Sequence, residues 1–488
     1  MKIRSIVCSA ALFGAACAAA AEAPRNLAFD AAAYTEKTAT VDGRTVAYRA
    51  FEGIVYVANP ADATYQRLNF YVPAEYYQGK SINGWTAVTA PIFFPNGVGG
   101  YLPAEPGTPG LGRDGKTNAA LVALSRGCVV AAPGTRGRTT QDAAGRYTGK
   151  APAAIVDLKA AVRYLRFNDA AMPGDAERIV SNGTSAGGGL SALLGASGNS
   201  PDYAPYLRAL GAADARDDVS AVSAYCPITN LENADAAYEW LFNGVVDYRK
   251  IEITMLDYKV QRTEVKGTLA ADQLAVSAEL KALFPAYLNG LGLKDQAGKA
   301  LTLDAAGTGS FADYVASFLA ASAQKALDGG ASLSSQPWAT VGNGKVVGID
   351  LGAYAAYAVR LKLPPAFDGL SLESGENSLF GAETVAARHF TAYSSSRGVP
   401  GGAVAEAQLV KLMNPMGYIG SSGATTSPFW RIRHGTVDRD TALAVPVILA
   451  TRLANAGFAV DFALPWETPH SGDYDLEELF AWTDAVCR

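Results

Sequence analysis

The sequence predicts an α/β fold, a mostly parallel sheet covered by helices and interrupted by a large, mainly helical insertion. Three observations carry this. Short apolar strands alternate with amphipathic helices up to residue 225. The alternation stops over residues 226–414 and returns over residues 415–488. A serine-centred pentapeptide, Gly183-Thr184-Ser185-Ala186-Gly187, lies between one strand and a helix rich in small residues. Strands that are apolar along their whole length need a helix on each face, and a parallel sheet provides that.

Residues 1–21 read as a secretory signal peptide. Lys2 and Arg4 precede the apolar run Ile6 to Ala20, and Ala18 to Ala21 offer A-x-A cleavage sites. The run is too short for a good membrane span. A secreted or periplasmic protein is expected. Cys17 follows Gly14-Ala15-Ala16, loosely like a lipoprotein site but without a large aliphatic residue, so lipidation at Cys17 is the lesser alternative.

Residues 22–225 are expected to form the first part of the core. Val41 to Val57 is β-rich, with Asp42-Gly43 as a hairpin turn signal. Arg67 to Val72 and Ala87 to Phe94 read as strands. Asn118 to Leu124 reads as a helix stopped at Arg126-Gly127. Cys128 to Ala132 is a buried strand. Ala151 to Phe167 places Ile155, Leu158, Ala161, Val162 and Leu165 at helical spacing. Ile179 to Ser181 and Val219 to Tyr225 are further strands.

Within residues 226–414, Leu269 to Phe284 reads as a helix stopped by Pro285, and Tyr314 to Leu327 as another. In residues 415–488 the strand Phe429 to Arg433, the helix Val445 to Ala456, the strand Val460 to Leu464 and the helix Leu476 to Val486 restore the alternation.

Composition narrows the function. The chain has 488 residues, 49% hydrophobic and 18% charged, enough for a large core. Its net charge of −5 gives no basic surface for nucleic acid or an anionic membrane. Beyond the signal peptide the cysteines are Cys128, Cys226 and Cys487, an odd number that defines no disulfide framework. No C-x-x-C pair or histidine cluster suggests a metal, and no cofactor is expected. The expected partners are small molecules, acted on by a monomer.

The pentapeptide fits G-x-S-x-G. A serine on a sharp strand-to-helix turn projects its hydroxyl from the fold, and the crowding there demands small neighbours. A plain glycine-rich turn would also fit the five residues. Their place between a strand and an apolar helix favours a nucleophile at Ser185 and the α/β-hydrolase fold. A serine nucleophile needs a histidine base and an orienting acid. The chain has three histidines, His389, His434 and His470. The chain order serine, acid, histidine puts the acid after the Phe429 strand and the histidine after the Val460 strand. Asp438 and His470 satisfy it. Asp440 is a rival acid two residues away. His434 reads as structural, and His389 as a surface or interdomain residue in a helical stretch. The oxyanion donors are expected to be the N–H of Ala186 and an N–H from the glycine-rich loop Pro95-Asn96-Gly97-Val98-Gly99-Gly100, with Gly100 the specific choice.

Longer stretches carry a resemblance. They are Ala151-Pro152-Ala153-Ala154-Ile155-Val156-Asp157-Leu158-Lys159, Asn182-Gly183-Thr184-Ser185-Ala186-Gly187-Gly188, Ser223-Ala224-Tyr225-Cys226-Pro227-Ile228, Trp430-Arg431-Ile432-Arg433-His434-Gly435 and Pro469-His470-Ser471-Gly472-Asp473-Tyr474-Asp475. With these the chain resembles the bacterial tannases, or tannin acyl hydrolases, over nearly all of its mature length. The resemblance implies a nucleophile at Ser185, a triad acid at Asp438, a base at His470 and an oxyanion glycine at Gly100. It also implies a galloyl-binding trio of Lys362, Glu376 and Asp440, and a lid domain at residues 226–414. By themselves Lys362 and Glu376 would pass for solvated charges. The implied activity is hydrolysis of galloyl esters and depsides to gallic acid, without a cofactor. A feruloyl or chlorogenate esterase with the same triad is the alternative. A non-catalytic polyphenol or carbohydrate binder is opposed by the intact serine, acid and histidine.

Overall fold

The computed structural model describes residues 25–488, except 113–114, 257–258, 400–401 and the side chains of 252–262. The expected signal peptide at residues 1–21, Cys17 included, lies outside the described residues.

The first part of the core comprises β1 (Thr35–Val41), β2 (Arg44–Val55), β3 (Arg67–Pro73), β4 (Pro91–Pro95), α1 (Ala119–Ser125), β5 (Val129–Pro133), α2 (Ala153–Phe167), β6 (Asp175–Thr184), α3 (Ala186–Ala196), α4 (Ala204–Ala209) and β7 (Ala221–Tyr225). Asp42 and Gly43 both take positive φ, 47° and 75°, as a two-residue hairpin between β1 and β2 requires. Asn118 caps α1 by accepting the Leu121 N–H at 3.0 Å.

The insertion follows with α5 (Leu231–Phe242), β8 (Asp247–Leu256), β9 (Lys259–Thr268), α6 (Ala271–Gly290), α7 (Ser310–Asp328), β10 (Ala339–Gly342), β11 (Lys345–Ile349), α8 (Leu351–Ala358), α9 (Gly375–Leu379), α10 (Ala392–Arg397) and α11 (Ala407–Lys411). Two features differ from expectation. The insertion carries two antiparallel hairpins, β8–β9 and β10–β11, beside its helices. Pro285 does not stop α6, which runs on to Gly290. Packing offsets the lost backbone bond. Phe284 and Leu288 are fully buried, and the Phe284 ring lies 5.3 Å from Trp240 and 6.1 Å from Phe311.

The chain ends with β12 (Phe429–Arg433), α12 (Ala444–Asn455), β13 (Ala459–Ala463) and α13 (Leu476–Cys487). The described strands build one large sheet in the order β1-β2-β3-β5-β4-β6-β7-β12-β13. From β5 to β13 every neighbour is parallel, and β1 to β3 extend the edge antiparallel. Side chains alternate between faces. Ile92, Phe94, Val129 and Ala131 share one core cluster with Ile155 and Leu158 of α2 and Leu190 of α3. Phe93, Val130 and Ala132 share another with Leu124 of α1 and Leu479 and Phe480 of α13. Cys128 is buried in the second cluster, as its apolar setting suggested.

β12 pairs directly with β7, Phe429 opposite Ala221 and Arg433 opposite Tyr225. The insertion therefore leaves from one strand and returns to its neighbour, so the core hydrogen-bonding is unbroken. Chemistry-bearing loops follow the carboxyl ends of β6, β7, β12 and β13, where parallel sheets gather their ligand sites. Among the described residues no helix is long and apolar enough to cross a membrane.

Candidate active site

Ser185 connects β6 to α3 with φ 62° and ψ −123°. Such a conformation costs on the order of 1–3 kcal/mol in a non-glycine residue and persists only where its surroundings hold it. Two glycines make the holding possible. A Cβ on Gly183 would lie 2.3 Å from the Gly187 carbonyl oxygen, and one on Gly187 would lie 2.6 Å from Asn96 Oδ1. The Ser185 side chain makes no cap hydrogen bond to α3. Ala186 is the first residue of that helix, so its N–H has no intrahelical acceptor.

Asn96 ties the glycine-rich loop to this turn. Its buried Nδ2 lies 3.2 Å from the Asn182 carbonyl, 3.1 Å from the Gly187 carbonyl and 2.9 Å from Ser191 Oγ. The Gly187 N–H donates to the Val98 carbonyl at 3.0 Å. Gly100 has φ +54° at the end of the loop, and its carbonyl accepts from Arg138 Nε at 2.8 Å. Asn96 was quoted in the loop but given no role by sequence reasoning, because its partners come from β6 and α3.

His470 and Asp438 meet. His470 Nδ1 lies 2.8 Å from Asp438 Oδ2 and 3.7 Å from Asp440 Oδ2. The Asp438 side chain is fully buried, whereas that of Asp440 is 30% exposed. The Asp440 N–H donates to Asp438 Oδ1 at 2.9 Å, which leaves Oδ2 for the imidazole. Burial alone would raise the Asp438 carboxyl, but the nearby His434 ring and the His470 hydrogen bond hold it below the ordinary range. Burial depresses His434. Burial would likewise lower His470, and the Asp438 hydrogen bond overrides this and raises it.

Three loops are stitched into one unit. The Thr436 N–H donates to the Pro465 carbonyl at 2.9 Å, and the Glu467 N–H to Thr436 Oγ1 at 2.7 Å. Asn182 Nδ2 donates to Asp473 Oδ1 at 3.0 Å, fastening the histidine loop to β6 one turn before Ser185. The Tyr225 hydroxyl donates to Asp475 Oδ1 at 2.5 Å, and Arg431 pairs with the same carboxylate.

Lys362, Glu376 and Asp440 are all half-buried, not freely solvated. Residues of α5 hold the first. Asp235, Tyr238 and Glu239 stand at i, i+3 and i+4, one face of that helix. The Tyr238 hydroxyl accepts the N–H groups of Leu361 and Lys362 at 3.0 and 3.1 Å and donates to the Arg439 carbonyl at 3.0 Å. One hydroxyl thus joins the backbone of Lys362 to the residue before Asp440. Glu239 pairs with fully buried Arg360, whose Nε donates to the Lys362 carbonyl at 2.9 Å. Lys362 Nζ sits 3.9 Å from the centre of the Phe367 ring. Asp235 accepts the Phe367 and Asp368 N–H groups at 2.7 and 3.1 Å.

Asp368 then organises the segment that bears Glu376. Its buried carboxylate accepts Asn377 Nδ2 at 2.7 Å, the Thr391 N–H at 2.8 Å and Thr391 Oγ1 at 2.7 Å. His389 Nδ1 lies 2.8 Å from the same carboxylate. This corrects the expectation for His389, which is fully buried inside the insertion and outside its helices. Glu376 occupies the first turn of α9, capped by Ser374. Its neighbour Gly375 lies beside Arg138, whose guanidinium carbon a Cβ there would meet at an ordinary contact distance of 3.4 Å. The same guanidinium binds the Gly100 carbonyl. Asp235, Tyr238 and Asp368 carried no signal in sequence, because buried polar residues look like solvated ones until their partners are known. A cavity of about 670 Å³ lined by Arg44, Glu75 and Asn83 at the sheet edge contains none of these groups.

The BD-FAE family model matches residues 138–272. The chain is 52% identical to the Fusobacterium nucleatum tannase structure, with 95% of this chain and 100% of that chain covered and a TM-score of 0.92. A Lactobacillus plantarum tannase structure is 47% identical over 95% of this chain and 100% of its own, with a TM-score of 0.92. A tannin acyl hydrolase in complex with ethyl gallate is 47% identical over 95% of this chain and 99% of its own, with a TM-score of 0.90. A comparison with curated proteins returned no match.

The Asn96 cluster yields a test. Asn96→Ala strands buried polar groups of β6 and α3, each costing about 1–3 kcal/mol. Its denaturant midpoint should fall with an unchanged m-value. A midpoint equal to that of the wild type would show that Asn96 does not hold the loop.

Proposed function

The chain belongs to the bacterial tannases, and from that membership and the site geometry we propose that it hydrolyses galloyl esters through Ser185, His470 and Asp438. The observation that carries the assignment is the 2.8 Å bond between His470 Nδ1 and the buried Asp438, against 3.7 Å to the more exposed Asp440.

Asp438 fixes the imidazole tautomer and keeps the Nε2 lone pair available. His470 takes the Ser185 proton as the hydroxyl attacks the ester carbonyl. The N–H groups of Ala186 and Gly100 donate to the developing oxyanion. The alcohol departs with the proton from His470, and water, deprotonated by the same imidazole, releases gallic acid from the galloyl-enzyme. A galloyl ring presents three adjacent phenolic hydroxyls. Glu376 and Asp440 accept hydrogen bonds from them, and the Lys362 ammonium donates to a phenolic oxygen. The tannin acyl hydrolase complex with ethyl gallate supports this substrate class.

A site built to pair with phenols rejects a ring without them by as much as about 10⁴-fold. Methyl gallate should be cleaved well, and methyl benzoate and methyl ferulate poorly. Asp440→Asn should impair methyl gallate hydrolysis while sparing p-nitrophenyl acetate, and Asp438→Asn should impair both. Loss of both activities in Asp440→Asn alone would make Asp440 the triad acid. Equal rates on methyl ferulate and methyl gallate would replace the galloyl pocket with a feruloyl one.

The raised His470 predicts a pH dependence. Only the neutral imidazole accepts the serine proton, so a higher pKa moves the acid limb to higher pH. For p-nitrophenyl acetate, which has no phenol of its own before cleavage, the acid limb of kcat/KM should lie above about 6.5, the ordinary imidazole value. A limb at or below that value would contradict the coupling to Asp438.

A further inference from the structure

Cys226 follows β7 directly, with φ 37° and a buried side chain. Its thiol donates to the Ser471 carbonyl at 3.4 Å, and its Sγ lies 3.9 Å from His470 Nε2. None of the steps above uses this sulfur. Cys128 and Cys487 are also free and buried, but Cys128 lies in the core and Cys487 ends α13. Ligand atoms of Cys226, His470 and Asp438 gather within 4.8 Å of one another.

The grouping has the chemistry of a soft-metal site. A zinc-binding histidine donates its other ring N–H to a carboxylate, which orients the ring and raises its basicity. The Asp438 bond to Nδ1 already does this and turns Nε2 toward the sulfur. Zn–S near 2.3 Å and Zn–N near 2.0–2.1 Å at a tetrahedral angle set sulfur and nitrogen about 3.6 Å apart. The observed 3.9 Å is met by a small rotation of either side chain.

We propose that Cys226 Sγ and His470 Nε2 form an inhibitory site for a thiophilic divalent cation such as Zn²⁺. The ion displaces the thiol proton to solvent, forms a zinc–thiolate bond and accepts the Nε2 lone pair. Water fills the remaining positions, and nothing is oxidised or reduced. With its lone pair committed, His470 no longer accepts the Ser185 proton. The inhibitory effect rests on His470 being the base.

The test follows hydrolysis of p-nitrophenyl acetate, because gallate esters would chelate the metal themselves. Zinc chloride should inhibit the wild type, and EDTA should restore the rate. Cys226→Ala, measured against its own metal-free rate, should need at least about tenfold more zinc for half-inhibition. Cys226→Ser, which keeps the size but is a poorer ligand, should shift the same way and serves if the alanine variant does not fold. Cys128→Ala and Cys487→Ala should respond like the wild type. At a pH above the acid limb, where His470 is neutral, calorimetry in buffers of different ionisation enthalpy should count one proton released per zinc bound, lost in Cys226→Ala. Equal zinc sensitivity of the wild type and the Cys226 variants, or no inhibition of the wild type by millimolar zinc, would overturn the site. Failure of the base assignment would show separately, as retained metal-free activity in His470→Ala.

Discussion

The Tyr238 hydroxyl is a point at which the two halves of this enzyme are joined. It accepts two N–H groups from the insertion and donates to a carbonyl of the acid loop in the core. Its neighbours on α5 complete the junction. Asp235 and Glu239 are buried, and each is satisfied by backbone or by a charged partner. A buried pair such as Glu239 and Arg360 adds little net stability over an apolar pair, yet breaking it is costly. What it supplies here is geometry, since Arg360 also fixes the Lys362 carbonyl.

The core imposes the other half of the geometry. β6, β7, β12 and β13 run parallel side by side, so the loops after them emerge at one edge. The serine turn, the acid loop and the histidine loop are adjacent because their strands are. Backbone bonds between residues 436 and 465, and the Asn182–Asp473 contact, then fix the loops to one another. Because β12 lies beside β7, an insertion can be carried between them without disturbing the sheet. Ser185, Asp438 and His470 stand in the core, and Lys362 and Glu376 stand in the insertion.

Legibility in the sequence followed the same division. β5, α2 and α3 announced themselves through apolar runs and helical spacing, and Ser185 through the glycines its turn requires. His470 and Asp438 were found by scarcity and chain order, since three histidines left few choices. Strand ends shifted by a few residues, as at β4, where the N–H groups of Thr89 and Ala90 turn back to the Thr86 carbonyl. The insertion was harder. Pro285 reads as a stop, but buried Phe284 and Leu288 hold α6 together around it. The β8–β9 hairpin was missed although Ile251, Ile253 and Met255 alternate with Lys250, Glu252 and Thr254, and β10 and β11 are too short to show a period. Lys362 and Glu376 were raised above ordinary surface charges only by family resemblance, and their supports, Tyr238 and Asp368, depend on contacts more than a hundred and about ten residues away respectively. Long-range polar pairing leaves no periodic trace.

The central claim is that the Tyr238 hydroxyl couples the backbone of Lys362 to the loop that bears Asp438 and Asp440. Tyr238→Phe tests it most directly, since it removes that oxygen and keeps the ring. Stranding even one buried partner costs about 1–3 kcal/mol, so misplacing Lys362 and Asp440 should be visible in selectivity. The ratio of kcat/KM for methyl gallate to that for p-nitrophenyl acetate should fall by at least about tenfold, carried by a higher KM for the gallate ester. An unchanged ratio, whether both activities persist or both fall together, would contradict the account.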